Sequence, residues 1–447
     1  MARKRRQNVT IGFVALGCPK NVVDSERMLA QLAQAGFLIT GDPSQADVVI
    51  VNTCGFIEPA KIESLEAVEQ ALADKRAGRV RRVIVAGCLS QRLGRQLLDE
   101  AKGVDAVVGL EQRDNIVKII RRTLSAHEAV VYRDSRSDSV SDDRVRLRIG
   151  PAHWAYLRIS EGCNHRCSFC TIPAIRGPFR SKPPAAVLEE ATELVTSGAV
   201  ELNLIGQDTT AYGGDLEATD GLAALLRQLD ALANVVWLRL LYAYPAGLTE
   251  TLVQTIASSD KVVRYLDIPI QHASDKILKA MRRPDTQAGL RRLVEDLRAA
   301  MPDIVLRTTL IVGFPGETDR EFGELVDFVR WAQFDALGAF TFFPEPGTPA
   351  AQFPDQVPDE VKRQRHEALM LTQQEIAFAR NAARVGSRLT CLIDSVDDDG
   401  TGIGRFYGQA PEIDSVCLVR DCTAAPGQYT EVEVRGTQDY DLLVDQI

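Results

Sequence analysis

Short apolar runs recur along the first 122 residues, and each is followed by a stretch whose apolar positions have helical spacing. VTIGFVAL precedes a helical pattern near Ser25–Ala35, ADVVIVNT one near Pro59–Arg76, and RRVIVAG one near Gln91–Ala101; the shorter DAVVGL leads into RDNIVKIIRRTL. Near-continuous apolar runs alternating with amphipathic stretches predict buried parallel strands crossed by helices. The expectation for residues 8–130 is a doubly wound parallel-sheet domain of α/β class.

The alternation then breaks. Residues 131–148, centred on RDSRSDSVSDDRVRL, are charged and rich in Ser and Asp, as a linker is. It resumes at HWAYLRIS, with strand candidates at 154–159, 200–205, 235–241, 263–268, 304–312 and 336–343. Six β/α units predict a partial or full β/α barrel over 149–380. Residues 358–384 read as one long, charged helix. Beyond Gly386 the period changes to two: RLTCLIDSV, GIGRFYG, SVCLVRD and YTEVEVRG are separated by glycine-containing turns. Residues 381–447 are therefore expected to form a small all-β barrel.

Composition narrows the class without choosing the chemistry. The 447 residues are 45% hydrophobic and 25% charged, as in globular proteins. A net charge of −9 argues against a surface that grips nucleic acid throughout, though not against a local basic channel. No apolar run approaches the roughly 18 residues of a membrane-spanning helix. The basic start MARKRR precedes an apolar stretch broken by Gly12, which reads as a first buried strand rather than a signal peptide. The expectation is a cytoplasmic protein, and nothing demands more than a monomer. In a reducing compartment nine cysteines point to metal or redox chemistry rather than to disulfides.

Three of those cysteines lie in EGCNHRCSFC, where Cys163, Cys167 and Cys170 directly follow the first barrel strand. A structural zinc site needs a fourth ligand. His165 lies inside the loop, but closing one tetrahedron from between Cys163 and Cys167 is strained, and no second CxxC pair is present in this domain. An iron–sulfur cluster with one iron left open for a small molecule is the sharper reading. Cys18, Cys54 and Cys88 follow three separate strands of the first domain (VALGC, VVIVNTC, VIVAGC). Parallel strand ends share one edge, where such sheets bind ligands. Three cysteines placed alike predict a second cluster, again with three protein ligands. Cys391, Cys417 and Cys422 lack ligand spacing and are expected as core thiols of the terminal barrel.

The CxxxCxxC run, with Phe169 before its last cysteine, resembles the radical S-adenosylmethionine superfamily. The resemblance implies a 4Fe–4S cluster whose open iron holds S-adenosylmethionine. It also implies cofactor contacts at Phe169, at Gly206 and Gln207 of LNLIGQD, and at Ile311 and Gly313 of TTLIVGFPGET, where Thr309 stands in place of the usual leading glycine. Arg239 is a further candidate cofactor contact, and Gln271 and His272 are candidate substrate contacts. The three N-terminal cysteines, the barrel and the terminal β-barrel together resemble the methylthiotransferases, whose last module is the TRAM domain. That resemblance implies two 4Fe–4S clusters, the one on Cys18, Cys54 and Cys88 being auxiliary. S-adenosylmethionine would serve both as methyl donor and as radical source, with a flavodoxin- or ferredoxin-type electron donor.

Within that family the run ALGCPKNVVDSERML resembles the branch that modifies the β-carbon of an aspartate on ribosomal protein uS12. His165 and Arg166 point the same way. Residues 381–447 carry twelve acids against five arginines and no lysine, 5 − 12 = −7, which suits a basic partner better than phosphates. The alternatives are a tRNA-adenosine methylthiotransferase and, in another class, a nonenzymatic iron–sulfur or zinc RNA-binding protein.

Overall fold

The computed structural model describes residues 9–133, 140–216 and 220–447; part of the expected linker at 131–148 lies outside them. The chain divides into two compact units. The first is Met1–Ile149 with Glu161–His165 and Thr171–Lys182; the second is Gly150–Ser160, Arg166–Cys170 and Pro183–Ile447.

The first unit is built on β1 (Thr10–Ala15), β2 (Leu38–Thr40), β3 (Val48–Thr53), β4 (Arg82–Gly87), β5 (Ala106–Val108) and β6 (Val130–Tyr132). Their order is β2-β1-β3-β4-β5-β6, and every pairing is parallel. Alternation along the strands sorts the core into two layers. Val49, Val51, Val83 and Val85 pack on Val68 and Leu72 of helix α2 (Glu58–Arg76). Val48, Ile50 and Ile84 turn the other way, onto Met28 and Leu32 of α1 (Pro19–Gln34) and Ile119 and Ile120 of α5 (Ile116–Ser125). Helices on both faces explain why β3 is buried at every position. Each fully buried Val, Leu or Ile contributes about 1.5–3 kcal/mol of transfer free energy.

Two helices differ from expectation. α1 starts at Pro19, six residues early, because a proline fits the first helical position, where its missing N–H costs no bond. The helix expected over Gln91–Ala101 is two short ones, α3 (Cys88–Leu93) and α4 (Gln96–Glu100). Gly94 separates them with a left-handed φ of 55°.

In the second unit six strands, β7 (Trp154–Arg158), β8 (Glu201–Ile205), β9 (Trp237–Leu240), β10 (Val262–Asp267), β11 (Val305–Val312) and β12 (Ala336–Thr341), pair in sequence order, all parallel. β7 and β12 do not pair with each other, so the barrel is partial. One face of each strand is apolar: Leu157, Leu202, Leu204, Leu238, Leu240, Leu266 and Leu306 join the helices in one core. The other face carries Arg158, Glu201, Asn203, Arg239 and Asp267, all buried. A polar interior on an apolar rind marks the concave face as the place for a site.

The long helix runs over Asp359–Ala382, within the expected 358–384. The terminal barrel is closed and has five strands: β13 (Arg388–Val396), β14 (Gly402–Phe406), β15 (Cys417–Arg420), β16 (Tyr429–Gln438) and β17 (Asp441–Gln446). β17 had no counterpart in the sequence reading, and its parallel pairing with β15 completes the closure. Cys391 and Cys417 are buried in this barrel, and Gly404 leaves room for them; a Cβ there would sit 2.6 Å from the Cys391 Sγ.

Candidate functional site

In the first unit, Cys18 follows β1, Cys54 follows β3, and Cys88 opens α3 directly after β4. β1, β3 and β4 are adjacent strands, and the winding direction reverses between β1 and β3. That reversal is the switch point at which open α/β sheets bind ligands, beyond the C-terminal strand ends. Glycines let the chain turn there. Gly17 has φ 92°, and a Cβ on it would stand 2.9 Å from the Cβ of Cys54; at Gly87, φ 94°, it would strike the side chain of Asn52.

Asn21 ties the three cysteine segments together. Its Nδ2 donates to the carbonyls of Leu16 and Thr53, 3.0 Å each, fixing the loops that lead into Cys18 and Cys54. Its Oδ1 accepts from Arg176 at 2.7 Å and from the Cys88 thiol at 3.5 Å. Asn52 in turn donates to the Asn21 carbonyl and to Ser25. The Ser64 hydroxyl bridges the backbone N–H and C=O of Cys54.

Burial acts on all three thiols, with different outcomes. It pushes the Cys88 thiol up to about 12, Arg176 only partly opposing it and the neighbouring Cys18 and Cys54 adding to it. Burial also pushes Cys54 up. At Cys18 burial is more than offset by Lys20, Arg176 and the N–H groups of Asn21 and Lys20, so this thiol is lowered. Three thiols that raise one another can ionise together only around a compensating cation.

Arg176, the last residue of α6 (Ile172–Arg176), is buried, and its charge is held firmly. Burial alone would lower its pKa, but Cys88, Glu161, Asp24 and Cys18 raise it well above the ordinary range. Nη1 meets Glu161 at 2.7 Å, while Nη2 reaches Asn21, Asp24 (3.3 Å) and the Cys88 Sγ (3.3 Å). Arg113 braces the same acids, pairing with Asp24 and lying 3.8 Å from Glu161.

In the second unit the loop after β7 is anchored by Ser168, whose N–H donates to the Met281 carbonyl and whose hydroxyl donates to that of Ala280. Burial raises the Cys167 thiol, opposed by Arg283. Arg283 is set by Asp285 at 3.1 Å, by the Pro269 carbonyl, and by the Tyr244 ring 4.3 Å beneath it. Phe169 and Ile311 belong to one apolar cluster with Phe314 and Phe342, the Phe169 and Phe314 rings being 6.5 Å apart.

The concave face contains buried polar atoms with no partner: the Ser160 hydroxyl and both amide atoms of Asn203 and of Gln207. Gly206 keeps the chain close to Ser160; a Cβ there would lie 2.4 Å from its Oγ. A buried, unpaired polar group costs about 1–3 kcal/mol, a cost that a polar ligand removes. These donors and acceptors fit the polar groups of S-adenosylmethionine, and the thiols of Cys18, Cys54 and Cys88, near enough to act on one another, fit cluster ligation. Among the described residues no group of His, Cys, Asp or Glu is arranged for a single metal ion.

One expectation needs correction. Arg239 is no cofactor contact: Nε binds Glu201 at 2.8 Å and Nη1 the Tyr407 carbonyl at 2.6 Å, so it points towards the start of β8 and the terminal barrel. Glu201 also holds Arg405, which pairs with Asp394, and Asp394 meets His153. His272 is fully buried, its Nδ1 accepting from the Ser274 N–H and its Nε2 lying 3.4 Å from Glu317 with no hydrogen-bond partner. In and beside the terminal barrel, Asp394 and Asp414 bind Arg405 and Arg307. Gln271 extends the β10–β11 ladder with φ 69°, and Gly313 turns with φ 71° against Lys362. Asn21, Asp24, Arg176, Ser160, Asn203 and Arg283 were missed. Asn21, Asp24 and Arg176 lie within the GCPKNVVDSE and IPAIRG runs, but their partnerships join distant segments.

Family models match in three blocks: Uncharacterized protein family UPF0004 over 10–109, the Radical SAM superfamily over 157–329 and the TRAM domain over 385–447. The fold is shared with the radical S-adenosylmethionine methyltransferase TsrM from Kitasatospora setae (TM-score 0.55, 12% identity, 85% of this chain and 91% of that one). It is also shared with the cobalamin-dependent radical enzyme OxsB (TM-score 0.52, 13% identity, 80% and 56%). By class, therefore, this is a radical S-adenosylmethionine methylthiotransferase. Ribosomal protein uS12 methylthiotransferase RimO of Geobacter sulfurreducens is 45% identical over 97% of both chains. Its namesake in Pelotomaculum thermopropionicum is 45% identical over 97% of this chain and 98% of its own. The chain belongs to the RimO family of methylthiotransferases.

Proposed function

We propose that this protein places a methylthio group on the β-carbon of an aspartate of ribosomal protein uS12. The observation that carries the reading is the convergence of Cys18, Cys54 and Cys88 at the β1/β3 switch point, in a chain that separately carries the CxxxCxxC loop. When bound, two 4Fe–4S clusters and S-adenosylmethionine supply methyl transfer to sulfur and the radical that removes a hydrogen atom.

The residues divide that work. Cys163, Cys167 and Cys170 hold the cluster that binds S-adenosylmethionine, and Cys18, Cys54 and Cys88 hold the auxiliary one. With three thiolates each, both leave one iron for a non-protein ligand. Ser160, Asn203 and Gln207 meet the polar groups of the cofactor with donors and acceptors that lack partners in the protein. Phe169 and Ile311 present the apolar surface beside them and keep water out. Gln271, half-buried at the end of the β10–β11 ladder, is a candidate for contact with substrate. A flavodoxin- or ferredoxin-type protein supplies the electrons, in the cytoplasm. No helix among the described residues is long and apolar enough to cross a membrane.

Intact-mass measurement of uS12 from cells lacking the gene tests the reading. The expected result is loss of the methylthio group from uS12 and its return on complementation. Persistence on uS12, with loss of a methylthio-adenosine from tRNA instead, would transfer the activity to the nucleic-acid branch.

A further inference from the structure

Behind the three N-terminal cysteines lies a buried quartet of two arginines and two acids. Asp24 and Glu161 are each shared between Arg113 and Arg176, and all four side chains are nearly solvent-free, from 1% exposed at Asp24 and Arg176 to 7% at Arg113. The charges balance, but they are not placed symmetrically. The Arg176 guanidinium touches a sulfur, through Nη2 at 3.3 Å from Cys88. Asp24 meets the same Nη2 at 3.3 Å, and Glu161 meets Nη1 at 2.7 Å, so that the two acids hold the fork in place from both of its nitrogens.

A buried ion quartet is a poor device for stability alone, since apolar residues of similar volume commonly do as well or better. Its orientation gives it another use. An N–H···S bond and a nearby positive charge both favour the more negative, reduced state of an iron–sulfur cluster, whose potential follows net charge, hydrogen bonds to sulfur and exposure. We propose that Arg176 is a positioning residue that raises the reduction potential of the cluster on Cys18, Cys54 and Cys88, and that Glu161 sets how strongly it does so. This rests on reading those cysteines as cluster ligands. The electron added on reduction comes from an external donor, and no bond in the protein changes.

The test is made in full-length protein carrying Cys163→Ala, Cys167→Ala and Cys170→Ala, so that only the N-terminal cluster remains after anaerobic reconstitution. Iron content and the electron paramagnetic resonance signal first establish that the cluster is present. If it is absent with Arg176 intact, the cluster reading fails and this inference with it. If it is present, its midpoint potential is measured by redox titration. Arg176→Met should lower the reduced-to-oxidised ratio at fixed potential about tenfold, ~59 mV for one electron. Glu161→Gln keeps the shape of the side chain and removes the opposing charge, so its shift should be smaller and upwards. Shifts of opposite sign support the inference, because a structural role would lower cluster loading without that pattern. An unchanged potential in loaded Arg176→Met protein overturns it. If Arg176→Met protein takes up no iron, Glu161→Gln decides: an upward shift supports the inference and an unchanged potential overturns it.

Discussion

The two cysteine sets are built in opposite ways. Cys163, Cys167 and Cys170 share one loop, and the Ser168 segment between the last two is held by the backbone carbonyls of Met281 and Ala280. Cys18, Cys54 and Cys88 sit on three strands and come together only because β1, β3 and β4 are neighbours. Each set has an arginine against one sulfur, but the surroundings differ. Arg283 is set by one carboxylate, a carbonyl and an aromatic ring. Arg176 is set by two buried carboxylates and an asparagine. One site is written into a short motif. The other is a product of the fold, and Asn21 is the residue through which the fold makes it.

The largest effects should come from breaking either set. Cys88→Ser and Cys167→Ser should each remove about half of the iron of reconstituted protein, since each set holds one four-iron cluster. The contrast lies in cofactor cleavage. Dithionite-dependent 5′-deoxyadenosine formation should survive Cys88→Ser and vanish in Cys167→Ser; loss in both would mean that the two sites are not separable. The next effect compares the anchors. Asn21→Ala takes the side-chain donor from the Leu16 and Thr53 carbonyls and removes one of several partners of Arg176 and Cys88, for an expected loss of about 2–4 kcal/mol of stability. Ser168→Ala removes one hydroxyl donated to Ala280 and should cost only about 1 kcal/mol. Chemical denaturation of the two variants reads the difference, and equal losses would contradict the view that only the N-terminal site depends on a long-range keystone.

The same contrast explains what could be read in the sequence. The alternation of apolar runs and helical spacing carried the layer architecture of both α/β parts, because burial on both faces leaves a one-dimensional signature. β2 and β6, three residues each at the sheet edges, and β17 left too little pattern to detect. The six candidate ligand cysteines could be named from the sequence, because Cys18, Cys54 and Cys88 each fall just after a strand and Cys163, Cys167 and Cys170 share one short run. Their supporting residues were not: Asn21, Asp24 and Arg176 act across more than 150 residues of chain. Arg239 shows the reverse error. A position near a strand end suggested the cofactor, but a side chain can lie along the strand in either direction, and Glu201 and Tyr407 draw this one away.

The smallest expected effect, and the most direct reading of the N-terminal electrostatics, is a difference in thiol reactivity within one site. Cys18 and Cys54 are both half-buried, so access alone does not separate them. Burial pushes both up; at Cys18 the charges of Lys20 and Arg176 and two N–H groups reverse the result, whereas at Cys54 burial wins. Alkylation proceeds through the thiolate. In chelator-stripped protein, iodoacetamide should therefore label Cys18 from a lower pH than Cys54, and peptide mapping after brief exposure at rising pH would show the order. The sign for stability is opposite at Cys88, whose raised pKa, about 12, means that the folded state holds the proton more tightly than the unfolded chain does. That contribution is present below the ordinary thiol value of 9.0 and is lost as pH rises from there towards 12. Bound iron takes the place of those protons, so holo protein should lose both the labelling order and the alkaline sensitivity. If Cys54 is labelled before Cys18, the positive charge at this site does not act where the geometry puts it, and the contrast with the loop site loses its electrostatic half.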